Sequence, residues 1–125
     1  MAGLSCPQWQ KRPSQTGGRT LCNSQKSGGA VRTVLIENDR VSVTRWDFPK
    51  PGNYIGWHRH EHDYVVVPLF AGDLWIDSCT ETVVSCMKTG VSYFQQAGVE
   101  HDVCNGNEGA CSFIEVELLE ASPRG

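Results

Sequence analysis

Residues 52–72 read GNYIGWHRHEHDYVVVPLFAG, and the placement of histidine in this stretch decides how the rest of the chain is read. It holds His58, His60 and His62, three of the four histidines in the 125-residue sequence. The fourth, His101, lies downstream in YFQQAGVEHDVCN, residues 93–105. On an extended strand alternate side chains share a face. His58 and His60 therefore point the same way, and His62 joins them if the strand runs that far. A neighbouring strand carrying His101 completes a facial set of imidazoles. Neutral imidazole is a common ligand for Zn, Fe, Ni and Cu. Three protein nitrogens leave positions open for water or substrate, the pattern of a catalytic site rather than a closed structural one. Spacing alone leaves a plainer reading open, in which HRHEH is a solvated turn and His101 a core residue.

Outward from this stretch the texture is that of short strands. Val31–Ile36 is β-branched and apolar, and residues 37–40 form a polar turn. Val41–Phe48 alternates, with Ser42, Thr44, Trp46 and Phe48 on one face unless a bulge intervenes. The Pro49-Lys50-Pro51-Gly52-Asn53 run ends that strand. Further strands are expected at Tyr64–Phe70, Asp73–Ser78, Thr82–Met87, Val91–Gln95, His101–Asn105 and Ala110–Leu119. In the last of these, Phe113, Glu115, Glu117 and Leu119 alternate with Ile114, Val116 and Leu118. No segment shows a helical period at useful length. Many short strands with regular turn signals predict an all-β sandwich or barrel, closed or folded over to protect its edges.

Composition bounds the rest. The length suits one domain with one hydrophobic core. A net charge of −3 gives no reason to expect nucleic acid or an anionic membrane surface as a partner. No apolar run approaches the ~20 residues that span a bilayer. Residues 1–29 are rich in Gly, Ser, Pro and Gln, and the first acidic residue of the chain is Glu37. Such a segment buries too little apolar area to offset its ordering entropy, so it is expected to be a disordered or loosely attached tail, with Trp9 a candidate anchor. The domain then spans residues 30–120, and residues 121–125 form a polar tail. The N-terminus lacks the apolar core of an export signal, which points to the cytoplasm. An acid-free leader with Arg and Ser also fits an organelle transit peptide, although Pro13 and the glycine pairs break an amphipathic helix. Six cysteines in such a chain read as free thiols. Equal spacings, Cys79 to Cys86 and Cys104 to Cys111, leave a disulfide across a Gly106–Gly109 hairpin as a further hypothesis.

The histidine stretch and its downstream partner together resemble the small single-domain cupins. The first cupin motif is Gly, five residues, His-x-His, three or four residues, Glu, six residues, Gly. Here it reads Gly52, NYIGW, His58-Arg59-His60, EHDY, Val65, VVPLFA, Gly72. The second motif is Gly, five residues, Pro-x-Gly, two residues, His, three residues, Asn. Here it reads Gly90, VSYFQ, Gln96-Ala97-Gly98, Val99-Glu100, His101, DVC, Asn105. The resemblance implies a double-stranded β-helix, the cupin jelly-roll barrel, over residues 30–120. It also implies a divalent metal (Fe, Zn, Ni or Mn) on His58, His60 and His101, and a homodimer. Gln96 in place of proline should only loosen a turn. More important, the motif's glutamate ligand is absent, since Tyr64 and Val65 occupy its two alternative positions.

Several residues could fill that gap. Water can complete a plain three-histidine site. Tyr64 can serve as a phenolate ligand or as a hydrogen-bond donor to substrate, though a pKa of about 10 opposes the first role. His62 or Asp63 can swing in. Asp63 and Asp102 are also candidates to orient imidazoles from behind. Candidate acid/base groups are His62, Tyr64 and Glu100. Arg45 and Arg59 are candidate carboxylate binders, and Trp46, Trp57, Trp75, Tyr93, Phe94 and Phe113 are expected mainly in the core. With iron the site suits oxygenase chemistry on a small-molecule ligand; with Zn, Ni or Mn it suits lyase, isomerase or hydrolytic steps. The wording WHRHEHDYVVVPL is similar to small cupins found with amine and β-amino-acid catabolism in bacteria. A non-catalytic ligand- or metal-binding module is the competing reading.

Overall fold

The structure, a computed structural model, describes Trp9–Arg12 and residues 28–119. Ten strands account for its regular structure, and the described residues contain no helix. They are β1 (Trp9–Arg12), β2 (Val31–Glu37), β3 (Val41–Phe48), β4 (His58–Arg59), β5 (Asp63–Pro68), β6 (Gly72–Asp77), β7 (Thr82–Met87), β8 (Tyr93–Gln95), β9 (Glu100–Asn105) and β10 (Cys111–Leu118). Two antiparallel five-stranded sheets face each other, in the orders β1-β7-β6-β9-β4 and β2-β3-β10-β5-β8. The chain crosses between sheets as it proceeds, which is the double-stranded β-helix expected from the sequence. The strand at Trp9–Arg12, paired with Thr82–Ser85, lies inside the segment read as a tail; the rest of residues 1–27, and residues 120–125, lie outside the described residues.

The side-chain period of two builds the core. On β3 the even positions turn inward, burying Ser42, Thr44 and Phe48. The irregularity lies in β2 instead, where the register shifts between Val34 and Ile36. Phe48, Val66, Leu74, Met87, Val103, Cys111 and Phe113 pack with Tyr64 into one cluster, and the Phe48 and Phe113 rings sit 5.7 Å apart. Burying each large apolar side chain is worth about 1.5–3 kcal/mol. Phe94 departs from expectation: it is 53% exposed, because β8 is an edge strand and its alternation turns Tyr93 inward instead.

β10 sits between β3 and β5, and its register grades the interior. Phe113 lies opposite Trp46 and Pro68, at the apolar end. Glu115 lies opposite Thr44 and Val66, and Glu117 opposite Ser42 and Tyr64. Directly paired residues share a face, so one end of the barrel is apolar and the other carries carboxylates, hydroxyls and a phenol. Asn105, which ends the second cupin-like motif, is a structural residue. Its buried amide donates to the carbonyls of Lys50 at 3.0 Å and Gly109 at 2.9 Å, tying the β3–β4 and β9–β10 connections together.

Candidate metal centre

β4 is only two residues long, yet it sets the site. His58 lies directly opposite His101 on β9. His60 lies just beyond β4, and its backbone is held by the β8–β9 turn: its N–H donates to Val99 O and its carbonyl accepts from Gly98 N–H, both at 2.8 Å. The turn is tied in turn to β5, since Ala97 N–H donates to the Asp63 carboxylate at 2.8 Å. Asp63 therefore anchors a loop rather than an imidazole.

The three imidazoles converge. One ligand nitrogen from each of His58, His60 and His101 lies within 4.8 Å of the others, and the Nε2 atoms of His60 and His101 are 3.1 Å apart. Their ring centroids stand 4.7–5.0 Å apart, edge on. His58 Nδ1 lies 2.7 Å from the Gly56 carbonyl; as the donor there it leaves Nε2 with its lone pair free. Behind it, the fully buried Asp102 carboxylate accepts the Gly56 N–H at 2.9 Å. Gly56 has φ +114°, a left-handed backbone that favours glycine. Asp102 thus positions His58 through one residue, Gly56, holding its N–H while its carbonyl meets the His58 ring.

Burial lowers the pKa of all three histidines. Desolvation is the largest cause at each, reinforced at His60 and His101 by the neighbouring imidazoles, and His60 falls to about 3. Without a metal, one of the His60 and His101 Nε2 atoms donates to the other; neutral rings free to give up that proton are the donor set a divalent transition metal requires. The residues present therefore fit a metal.

His62 is half-buried and outside the trio. Tyr64 is 2% exposed and its ring stacks on His60, with centroids 3.9 Å apart and planes 19° apart. Burial and the carboxylates of Glu115 and Glu117 push its phenol pKa up, which works against a phenolate. Glu100 pairs with Arg59 at 3.0 Å, on the exposed side of the β4–β9 pair. Arg45 pairs with Asp47 at 3.1 Å. A pocket of about 160 Å³ opens beside the centre, lined by Tyr64, Ser78, Tyr93, Gln95, Glu100 and His101 among others.

Two features were not foreseen. Glu115 brings Oε2 to 3.7 Å from His60 Nε2. Burial raises its carboxyl to about 7, with Glu117 adding to the rise and a hydrogen bond from Trp46 opposing it. The signal was present in the sequence: Glu115 and Glu117 alternate in phase with Phe113, on the face that must be the core. The cysteines also differ from expectation. Cys79 and Cys86 are disulfide-bonded rather than free, whereas Cys104 and Cys111 are buried thiols. Cys104 lies on β9 and Cys111 on β10, in different sheets, so no hairpin pairs them. Register also sets Cys86 opposite Asp73, well away from the turn that holds Cys79.

Comparison with known proteins agrees with this architecture. No family model matches the chain. A crystal structure of a cupin domain from Bordetella pertussis Tohama I is 46% identical, covers 77% of this chain and 99% of its own, and superposes with a TM-score of 0.72. This chain belongs to the cupin family. The cupin is also 44% identical over 89 residues to the β-alanine degradation protein BauB of Pseudomonas aeruginosa, a match covering 71% of this chain and 93% of that one. A cupin superfamily protein from Desulfitobacterium hafniense shares the fold at 15% identity, with a TM-score of 0.58 over 89% of this chain and 98% of its own.

Proposed function

We propose that this cupin binds one divalent metal ion through His58, His60 and His101 and acts on a small organic or amino acid in the pocket beside them. The observation that carries the reading is the convergence of three neutral imidazoles whose ligand nitrogens lie within 4.8 Å of one another. A bound Fe, Zn, Ni or Mn ion supplies Lewis acidity, and iron in addition supports oxygenase chemistry. The chain's own residues do the rest. Asp102 and Gly56 fix the orientation of His58. Tyr64, with its proton retained, offers a donor O–H to a ligand in the pocket. Glu100, which lines the pocket, and His62 are further acid/base candidates. The pocket, about 160 Å³, is well below the ~300 Å³ of drug-sized sites, which supports a small ligand. Likeness to a β-alanine degradation protein supports β-amino acids and the carboxylic acids derived from them as the first class to test.

Elemental analysis of protein purified without added metal tests the centre: about one equivalent per chain is expected, falling below about a tenth in His58→Ala and His101→Ala. Incubating the loaded protein with β-alanine and related small acids, followed by NMR and oxygen uptake, tests turnover. Metal at full occupancy with no acid consumed would favour the second reading, a non-catalytic binding module, which the missing motif glutamate supports. We further propose a homodimer. The proposed compartment is the cytoplasm, which requires Cys79 and Cys86 to be reduced in the cell; thiol alkylation of lysates reads their state directly.

A further inference from the structure

The proposed centre has three nitrogen donors and no carboxylate from the strand that normally provides one. On β5 the two alternative positions hold Tyr64, lying flat against His60, and Val65, which pairs with Val116 on the opposite face from Glu115. Yet a carboxylate does reach the site from the neighbouring strand. Glu115 lies opposite Val66 in the register, its side chain is only 15% exposed, and its Oε2 is 3.7 Å from His60 Nε2. That nitrogen is 3.1 Å from His101 Nε2. Donors about 2.0–2.2 Å from one transition metal ion stand roughly 3.0 Å apart at right angles and roughly 3.5 Å apart at tetrahedral angles. The His60–His101 separation falls in that range. The Glu115–His60 separation lies about 0.2 Å beyond it, and Glu115 stands just outside the cluster of three histidine nitrogens, so a small side-chain shift would bring it to the ion. The carboxylate also has the support a ligand needs, because Trp46 hydrogen-bonds it. Burying a carboxylate beside neutral imidazoles is costly unless charge of opposite sign accompanies it, and a second acid, Glu117, lies two positions on along the same face of β10.

We propose that Glu115, on the last strand of the barrel, is the fourth protein ligand of the metal centre and replaces the carboxylate missing from β5. The proposal rests on the three-histidine reading above and adds to it a donor from a different strand, so that β4, β9 and β10 all contribute to one ion.

Co2+ titrated into the full-length, metal-stripped protein tests this through visible absorption, with no need for a substrate. Wild type is expected to bind one Co2+ per chain. Glu115→Gln should bind about tenfold more weakly or worse, with altered d–d bands because an oxygen donor is lost. Glu117→Gln, a charge control on the same face, should titrate like wild type. Glu115→Asp, judged folded by circular dichroism alongside Glu115→Gln, should also shift the bands and keeps the test decisive if the glutamine variant misfolds. Unchanged affinity and spectrum in the Glu115 variants would overturn the proposal while leaving the histidine site standing. Equal weakening in Glu117→Gln would overturn it in favour of a general field effect. Absence of Co2+ binding by wild type would overturn both readings together.

Discussion

Asp102 reaches His58 through the backbone of a single residue, Gly56, and that link can be tested by substitution. Removing the carboxylate in Asp102→Ala leaves the buried Gly56 N–H without its acceptor, which typically costs about 1–3 kcal/mol. It also frees the Gly56 carbonyl that fixes the ring of His58. Stability by urea titration should fall by that amount, and metal affinity by about 10–100-fold. In Asp102→Asn the side-chain oxygen still accepts, so most of the stability should return. If affinity survives intact in the alanine variant, Asp102 merely fills space. The same residues show why the site was only partly legible. Two histidines spaced by one residue announce a shared face. Asp102 is legible as a candidate to orient an imidazole, but its route through the backbone of Gly56 leaves no spacing signal, because a backbone amide belongs to no residue type.

At the level of strands, β3 and β7 fall at the residues expected, since alternation and flanking turns define them. β4 does not. The sequence leaves open whether HRHEH is strand as far as His62 or a solvated turn; only His58 and Arg59 pair, and His60 gains its partners from Gly98 and Val99. Pairing is decided by what lies alongside, which no local pattern encodes. β2 presents a different case. It looks like a buried strand, but Val31, Val34, Leu35 and Ile36 are each 40–51% exposed on a sheet edge. An apolar edge of this kind is a template for pairing with another chain. The proposed homodimer is therefore expected to bury β2, and Ile36→Lys should convert it to monomer in sedimentation velocity at micromolar concentration. A wild-type monomer under those conditions would count against the dimer. A mutant that remains dimeric would move the interface elsewhere.

For the whole molecule, two kinds of buried group pull stability in opposite directions with pH. The folded-state pKa of His60 is depressed to about 3 from an ordinary 6.5, and those of His58 and His101 are lowered as well. The unfolded chain therefore takes up protons that the fold refuses. The histidine contribution to the stability of the metal-stripped protein is full above about pH 6.5 and is lost as pH falls toward 3. Glu115 acts with the reverse sign. Its carboxyl is raised to about 7 from 4.5, so its contribution is present below about pH 4.5 and lost as pH rises through 7. Three histidines outweigh one carboxyl, and the net trend is loss in acid. Glu115→Gln keeps the neutral shape, so the stripped variant should exceed wild type by about 1–3 kcal/mol at pH 8. That advantage should vanish near pH 4.5. Urea titrations at the two pH values measure it, and a gap independent of pH would rule out titration of Glu115 as the cause.

The β8–β9 turn holds both the N–H and the carbonyl of His60 and is itself held by Asp63. The imidazole backbone is thus immobilised by hydrogen bonds that form with the barrel. Loss of freedom at the centre belongs to the folding step, and an ion or small acid arriving later meets a rigid receptor with little ordering left to do.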